Sequence, residues 1–154
     1  MFIRRLQHVS LFRDLPKEQL ERVAEACQVM DQPSGRTIIE EGSIGDNLYV
    51  ILEGAVKVHK QDFYGGKEVI TTLHGGDHFG EVSLFDEAPR SAAVTTIKAS
   101  RLLCLSKDDL QVLMQEDPEL AASIYENLIA DLCNRLRETN EHLIYLMGKR
   151  SDGA

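Results

Sequence analysis

The chain has 154 residues, 43% hydrophobic and 27% charged, an ordinary globular make-up with enough length to bury the core of a single domain over 1–154. Its 17 basic and 25 acidic residues leave a formal net charge of −8, so no broad basic field serves nucleic acid, and any anion must be held by a few aimed donors. No run approaches the ~20 apolar residues of a membrane span, and the opening Met1-Phe2-Ile3-Arg4-Arg5-Leu6 lacks the apolar stretch of a signal peptide.

From Ser10 to Cys27, Leu11, Phe12, Leu15, Leu20, Val23 and Ala24 recur at helical spacing. This predicts a lead-in over about 10–28 with its main helix near 16–27, Pro16 at the start and Asp14 as a candidate cap. Residues 29–105 read as strands. The runs 37–39, 48–52, 55–59, 69–73, 92–97 and 102–105 are rich in β-branched residues and separated by turn signals such as Pro33-Ser34-Gly35 and Gly75-Gly76-Asp77. Short strands so spaced predict an antiparallel β-roll of jelly-roll type, so the fold class is mainly β with flanking helices.

Ser106-Lys107-Asp108-Asp109 opens a short helix through Met114, and Asp117-Pro118-Glu119 opens a long one reaching Met147, with a frayed tail over 148–154. Along the long helix, Ile129, Leu132, Leu136, Thr139, Leu143 and Leu146 alternate steps of three and four, a heptad seam. Packing onto the roll would account for some of these positions. A narrow stripe is more than that requires, and the sharper reading is a parallel homodimer. Cys27, Cys104 and Cys133 are odd in number, lack CxxC spacing, and read as reduced, mostly buried thiols of a cytoplasmic protein.

The richest chemistry lies in the stretch from Phe79 to Ala93. Gly80 lets the backbone approach a ligand, because it has no Cβ. Glu81 and Val82-Ser83-Leu84-Phe85 read as a short helical turn whose N–H groups could face an anion. Pro89 fixes the approach to Arg90, whose guanidinium can hold two phosphate oxygens at once. Ser91 adds a hydroxyl donor. A carboxylate at Glu81 repels phosphate, so its natural partner is a hydroxyl such as a ribose 2′-OH. Arginine for phosphate and glutamate for sugar together point to a nucleotide monophosphate.

The order F-G-E-x-S-L-F-x-x-x-P-R-S-A resembles the phosphate-binding cassette of the cyclic-nucleotide-binding domain family, of catabolite activator protein and protein kinase A regulatory subunit type. The glycines at 35, 42, 45, 54, 76 and 80 match where that family turns its roll, so the resemblance covers roughly residues 10–147. It implies a sensor without catalysis, with cAMP or cGMP as ligand and no further cofactor. Gly80 and Val82 would give backbone contacts, Ser91 a hydroxyl to an equatorial oxygen, and Ser83 the lining of the turn, with Ala92 in the same set. It also implies that Ile70 and Thr71 stand beside the base and that Thr139 and Asn140 reach it across the dimer. Thr139 matches the cAMP-binding pattern and Asn140 departs from it, so cAMP is expected ahead of cGMP. No DNA-reading module follows the long helix and no pseudosubstrate precedes residue 10. The expectation is therefore a stand-alone sensor acting on an unnamed output protein, with no direct DNA or membrane binding.

Two other classes remain. His59, His74 and His78 invite a metal-binding cupin-type enzyme built on His74, His78 and Glu81, since His74 and His78 share strand parity. Against it, the cupin H-x-H pair is absent and Gly75-Gly76 interrupts the strand. A degenerate roll serving only as a dimerisation module is the other class. Intact Glu81, Arg90 and Ser91 argue against that.

Overall fold

The computed structural model describes residues 2–152. Its centre is two antiparallel four-stranded sheets. The first takes β1 (Gln28–Gln32), β8 (Ser100–Ser106), β3 (Asn47–Glu53) and β6 (His78–Phe79) in that order. The second takes β2 (Thr37–Ile39), β7 (Ala93–Thr96), β4 (Ala55–Gln61) and β5 (Lys67–His74). The expected roll is thus present, with β1 and β6 added to the runs legible by composition.

Strand alternation sorts two cores. On β3, Leu48, Val50 and Leu52 enter a cluster with the helices, while Tyr49 and Ile51 enter the space between the sheets. On β8, Leu103 and Leu105 take the helix side and Leu102 the roll side. Strands covered on both faces need apolar residues at consecutive positions, which is why Leu48 to Leu52 shows no polar alternation. β5 lies at a sheet edge and is exposed along nearly its whole length.

Helices α1 (Ile3–Gln7) and α2 (Lys17–Ala26) flank a 3-10 turn at Ser10–Phe12. The candidate cap Asp14 does not cap: it sits at φ 61° in the connecting turn, and Pro16 precedes α2 without a side-chain cap bond. α3 (Lys107–Glu116) is capped by Ser106, whose hydroxyl accepts from Asp109 N at 3.1 Å. α4 runs over Pro118–Asp152, with Asp117 Oδ1 accepting from Leu120 N at 3.1 Å. The expected fraying from 148 is corrected: the helix carries Gly148 and continues to Asp152, residues 153–154 lying outside the described part. A glycine in a helix costs only about 1 kcal/mol, so Gly148 does not have to end it.

A polar clasp ties α4 to the lead-in. Asn127 Nδ2 donates to Leu11 O (3.0 Å) and Arg13 O (2.9 Å). Ser10 Oγ donates to Asp131 Oδ2 (2.7 Å), with Arg13 Nη1 3.7 Å from Asp131 Oδ1. Before the clasp α4 buries Leu120 and Ile124; beyond it the apolar residues are exposed. The thiols also need correction: Cys27 and Cys104 are half-buried, but Cys133, just past the clasp on α4, is exposed. Burial first, then Cys104 and Asp109, pushes the Cys27 thiol up to about 12. Among the described residues no helix is long and apolar enough to cross a membrane.

Candidate functional site

After β6 the chain enters a left-handed turn at Gly80 (φ 91°) and then the 3-10 turn Glu81–Leu84. A Cβ at Gly80 would stand 2.6 Å from Asn47 O and 3.0 Å from Arg90 Nη1, so glycine meets both the dihedral and the close approach. The turn and the 86–92 loop enclose a cavity of about 460 Å³. Gly80, Glu81, Val82, Ser83, Arg90, Ser91 and Ala92 all line it, so the structure brings these seven residues together. β2, β4 and β7 supply the apolar wall through Ile39, Val58 and Val94. Beneath, Phe79 stacks on Tyr49 with ring centroids 5.0 Å apart.

Arg90 is fixed through its backbone, and its guanidinium lies against Gly45 and Gly80, where a Cβ would stand 3.0 Å or less from it. Its N–H donates to Ser43 O (2.7 Å) and its carbonyl accepts from Gly42 N (2.8 Å), joining the cassette to the β2–β3 loop. Nη2 donates to Asn47 O at 3.1 Å, while the buried Nε has no hydrogen-bond partner. Burial pulls the guanidinium below the ordinary arginine value, against the opposing fields of Tyr49, Asp46 and Glu81. A desolvated cation with an orphaned donor beside a cavity is suited to an oxyanion.

Glu81 carries a partner that the sequence reading did not anticipate: Arg135 of α4 places Nη2 on Glu81 Oε1. His78 Nδ1 stands 3.4 Å from the other oxygen, Oε2. Burial alone would raise this carboxyl, but His78, the residue's own backbone N–H and Arg135 together hold it down to about 2. The carboxylate is therefore ionised and aimed at donors. A hydroxyl entering the cavity would meet a strong acceptor already held by a helix.

Ile70, Thr71, Thr139 and Asn140 do not line this cavity and are exposed. Thr71 pairs with Val58, one strand beyond the wall, and Ile70 falls at the register shift of β4–β5. Thr139 lies four residues, one helical turn, past Arg135. The metal alternative finds no support in the geometry. Among the described residues no group of three His, Cys, Asp or Glu side chains could hold a metal, so His74 does not join His78 and Glu81.

A sequence model described as Cyclic nucleotide-binding domain matches residues 31–117, more than half of the chain. The chain belongs to the cyclic nucleotide-binding domain family. This makes it a ligand-receiving domain of a regulatory family and not an enzyme. It is 32% identical over 142 residues, 92% of its length, to a CRP-like cAMP-activated global transcriptional regulator of Mycobacterium tuberculosis, and spans 62% of that relative. The N-terminal domain of a transcriptional regulator from Streptomyces coelicolor A3(2) superposes with a TM-score of 0.79 at 32% identity, covering 90% of this chain and 94% of that one. The regulatory domain of Toxoplasma gondii PKA, solved with cAMP, gives 0.69 at 31% identity over 73% of this chain and 42% of that one.

Proposed function

We propose that this domain is a cyclic-mononucleotide receptor, cAMP ahead of cGMP, in which Arg90 holds the cyclic phosphate and Glu81 the ribose 2′-hydroxyl. The carrying observation is Arg90, charged, desolvated and short of one hydrogen-bond acceptor at the wall of a cavity shared with an ionised Glu81. Ser91 adds a hydroxyl, Gly80 and Val82 add backbone, and Ser83 and Ala92 complete the lining. Relatives named for cAMP activation or solved with cAMP support the choice of base.

The working unit in this proposal is a homodimer through α4. Ile129, Leu132, Leu136, Leu143 and Leu146 are all exposed in the single chain, a stripe that a second copy would cover. Thr139 and Asn140 then meet the base from the partner's helix, with Ile70 and Thr71 at the rim. Ligand and Arg135 compete for Glu81, so binding re-sets α4 against the roll. A coupling of this kind carries about 1–3 kcal/mol to an output partner. The compartment assigned is the cytoplasm, and the unit assigned is one domain.

Titration calorimetry of cAMP and cGMP against wild type and Arg90→Ala tests the reading. Loss of a charge-assisted contact worth ~1.5–3 kcal/mol predicts at least tenfold weaker binding. Equal affinity in the variant refutes the cassette assignment.

A further inference from the structure

We propose that His78 is a positioning residue of this site, holding Glu81 Oε2 and taking up a proton when an anionic nucleotide enters. The inference rests on the proposed function, since it needs a ligand that carries a phosphate. It comes from a cluster in which one group is left without a hydrogen bond. Glu81 Oε1 belongs to Arg135, and Oε2 faces His78 Nδ1 at 3.4 Å. That nitrogen is buried and has no hydrogen-bond partner. His78 lines the cavity itself, on the two-residue strand β6 just before the Gly80 turn.

A charge count of the cavity gives the direction. Its lining carries two cations, Arg90 and Arg135, and two carboxylates, Glu81 and Asp86, with His78 the remaining titratable group. These come from the cassette, the 3-10 turn and α4. From β3, the residues opposite β6 are Tyr49 and Val50. Tyr49 stays neutral, because burial pushes its hydroxyl above the ordinary tyrosine value. Asp77, next to His78, accepts from His74 N at 2.8 Å. Leaving His78 aside, the charges of the lining are thus balanced before a ligand arrives. A cyclic phosphate adds one negative charge, and a ribose hydroxyl on Oε1 displaces Arg135. Both changes favour an imidazolium against Oε2. Binding therefore takes up a proton and tightens as pH falls through the range where histidine changes charge, about pH 8 to 5.

The test is titration calorimetry of cAMP and cGMP between pH 5.5 and 8, in buffers of different ionisation enthalpy. Wild type, His78→Gln and His78→Phe are compared, and circular dichroism checks folding. The wild type should show net proton uptake and bind about threefold or more tightly at pH 5.5 than at pH 8. Either folded variant should lose both the uptake and the slope. A wild type that binds without proton uptake, or a folded variant that keeps it, overturns the role of His78 and leaves the receptor intact. Absence of binding by either nucleotide at any pH overturns the receptor and this inference together.

Discussion

Gly45→Ala separates the binding site from the fold. Gly45 is not in the left-handed region, so alanine fits its backbone. A Cβ there would nonetheless stand 2.6 Å from Arg90 Cζ and closer still to Nε. What must yield is the far end of one side chain, so the cost to folding should stay within about 0.5 kcal/mol. Reduced freedom of the unfolded chain could even return ~0.4–1 kcal/mol. The guanidinium, however, leaves the place where it borders the cavity. Losing its charge-assisted bonds to a phosphate removes ~1.5–3 kcal/mol, which weakens binding about 10- to 150-fold. Thermal unfolding without ligand and calorimetry with cAMP measure the two effects on one sample. Wild-type affinity in a folded Gly45→Ala protein would mean that Arg90 does not hold the phosphate from the position seen here.

Glu81→Gln should weaken cAMP more than its 2′-deoxy analogue, because the analogue lacks the hydroxyl; equal losses would assign Glu81 to the turn alone. The same carboxyl links stability to acid. Its value in the folded protein, about 2, lies below the ordinary 4.5, so its contribution is complete above about pH 4.5 and is lost as pH falls toward 2. The gap is worth on the order of 3 kcal/mol, and acid denaturation of Glu81→Gln should be flatter in that window; an unchanged acid limb would argue against the Arg135 and His78 contacts. Charging the stripe with Leu136→Glu and Leu143→Glu places like charges in an apolar interface and should yield monomers with a folded roll. Analytical ultracentrifugation decides, and a wild type monomeric at tens of micromolar with and without cAMP would refute the dimer.

That these residues share one place was legible because they are close in sequence: seven of the expected ligand residues fall between 80 and 92 and line one cavity. The β-branched runs announced β2, β3, β4, β5, β7 and β8 for a similar local reason. β1 escaped because Gln28-Val29-Met30-Asp31-Gln32 is a mostly polar edge strand, and β6 because two residues show no period. Gly45, Asn47 and Arg135 are harder to read as neighbours of this cavity, since they reach it across 43 to 54 positions of chain. A signal for Arg135 was nevertheless available: it precedes Thr139 by one helical turn, so the two share a face. The extent of α4 was underestimated because Gly148 weakens a helix without having to end it.

In the proposed receptor, the clasp at Ser10, Arg13, Asn127 and Asp131 would serve α4 as the fulcrum of a lever. Arg135 lies one turn beyond the fulcrum, about 6 Å, whereas Leu146 lies about 22 Å beyond it at 1.5 Å per residue. A tilt of about 5° at the clasp thus moves the Arg135 end by roughly 0.5 Å and the Leu146 end by roughly 2 Å. The short arm carries the contact to Glu81 and the long arm carries the exposed leucines. Under that proposal, a displacement small at the roll would be multiplied about fourfold where another surface meets the helix.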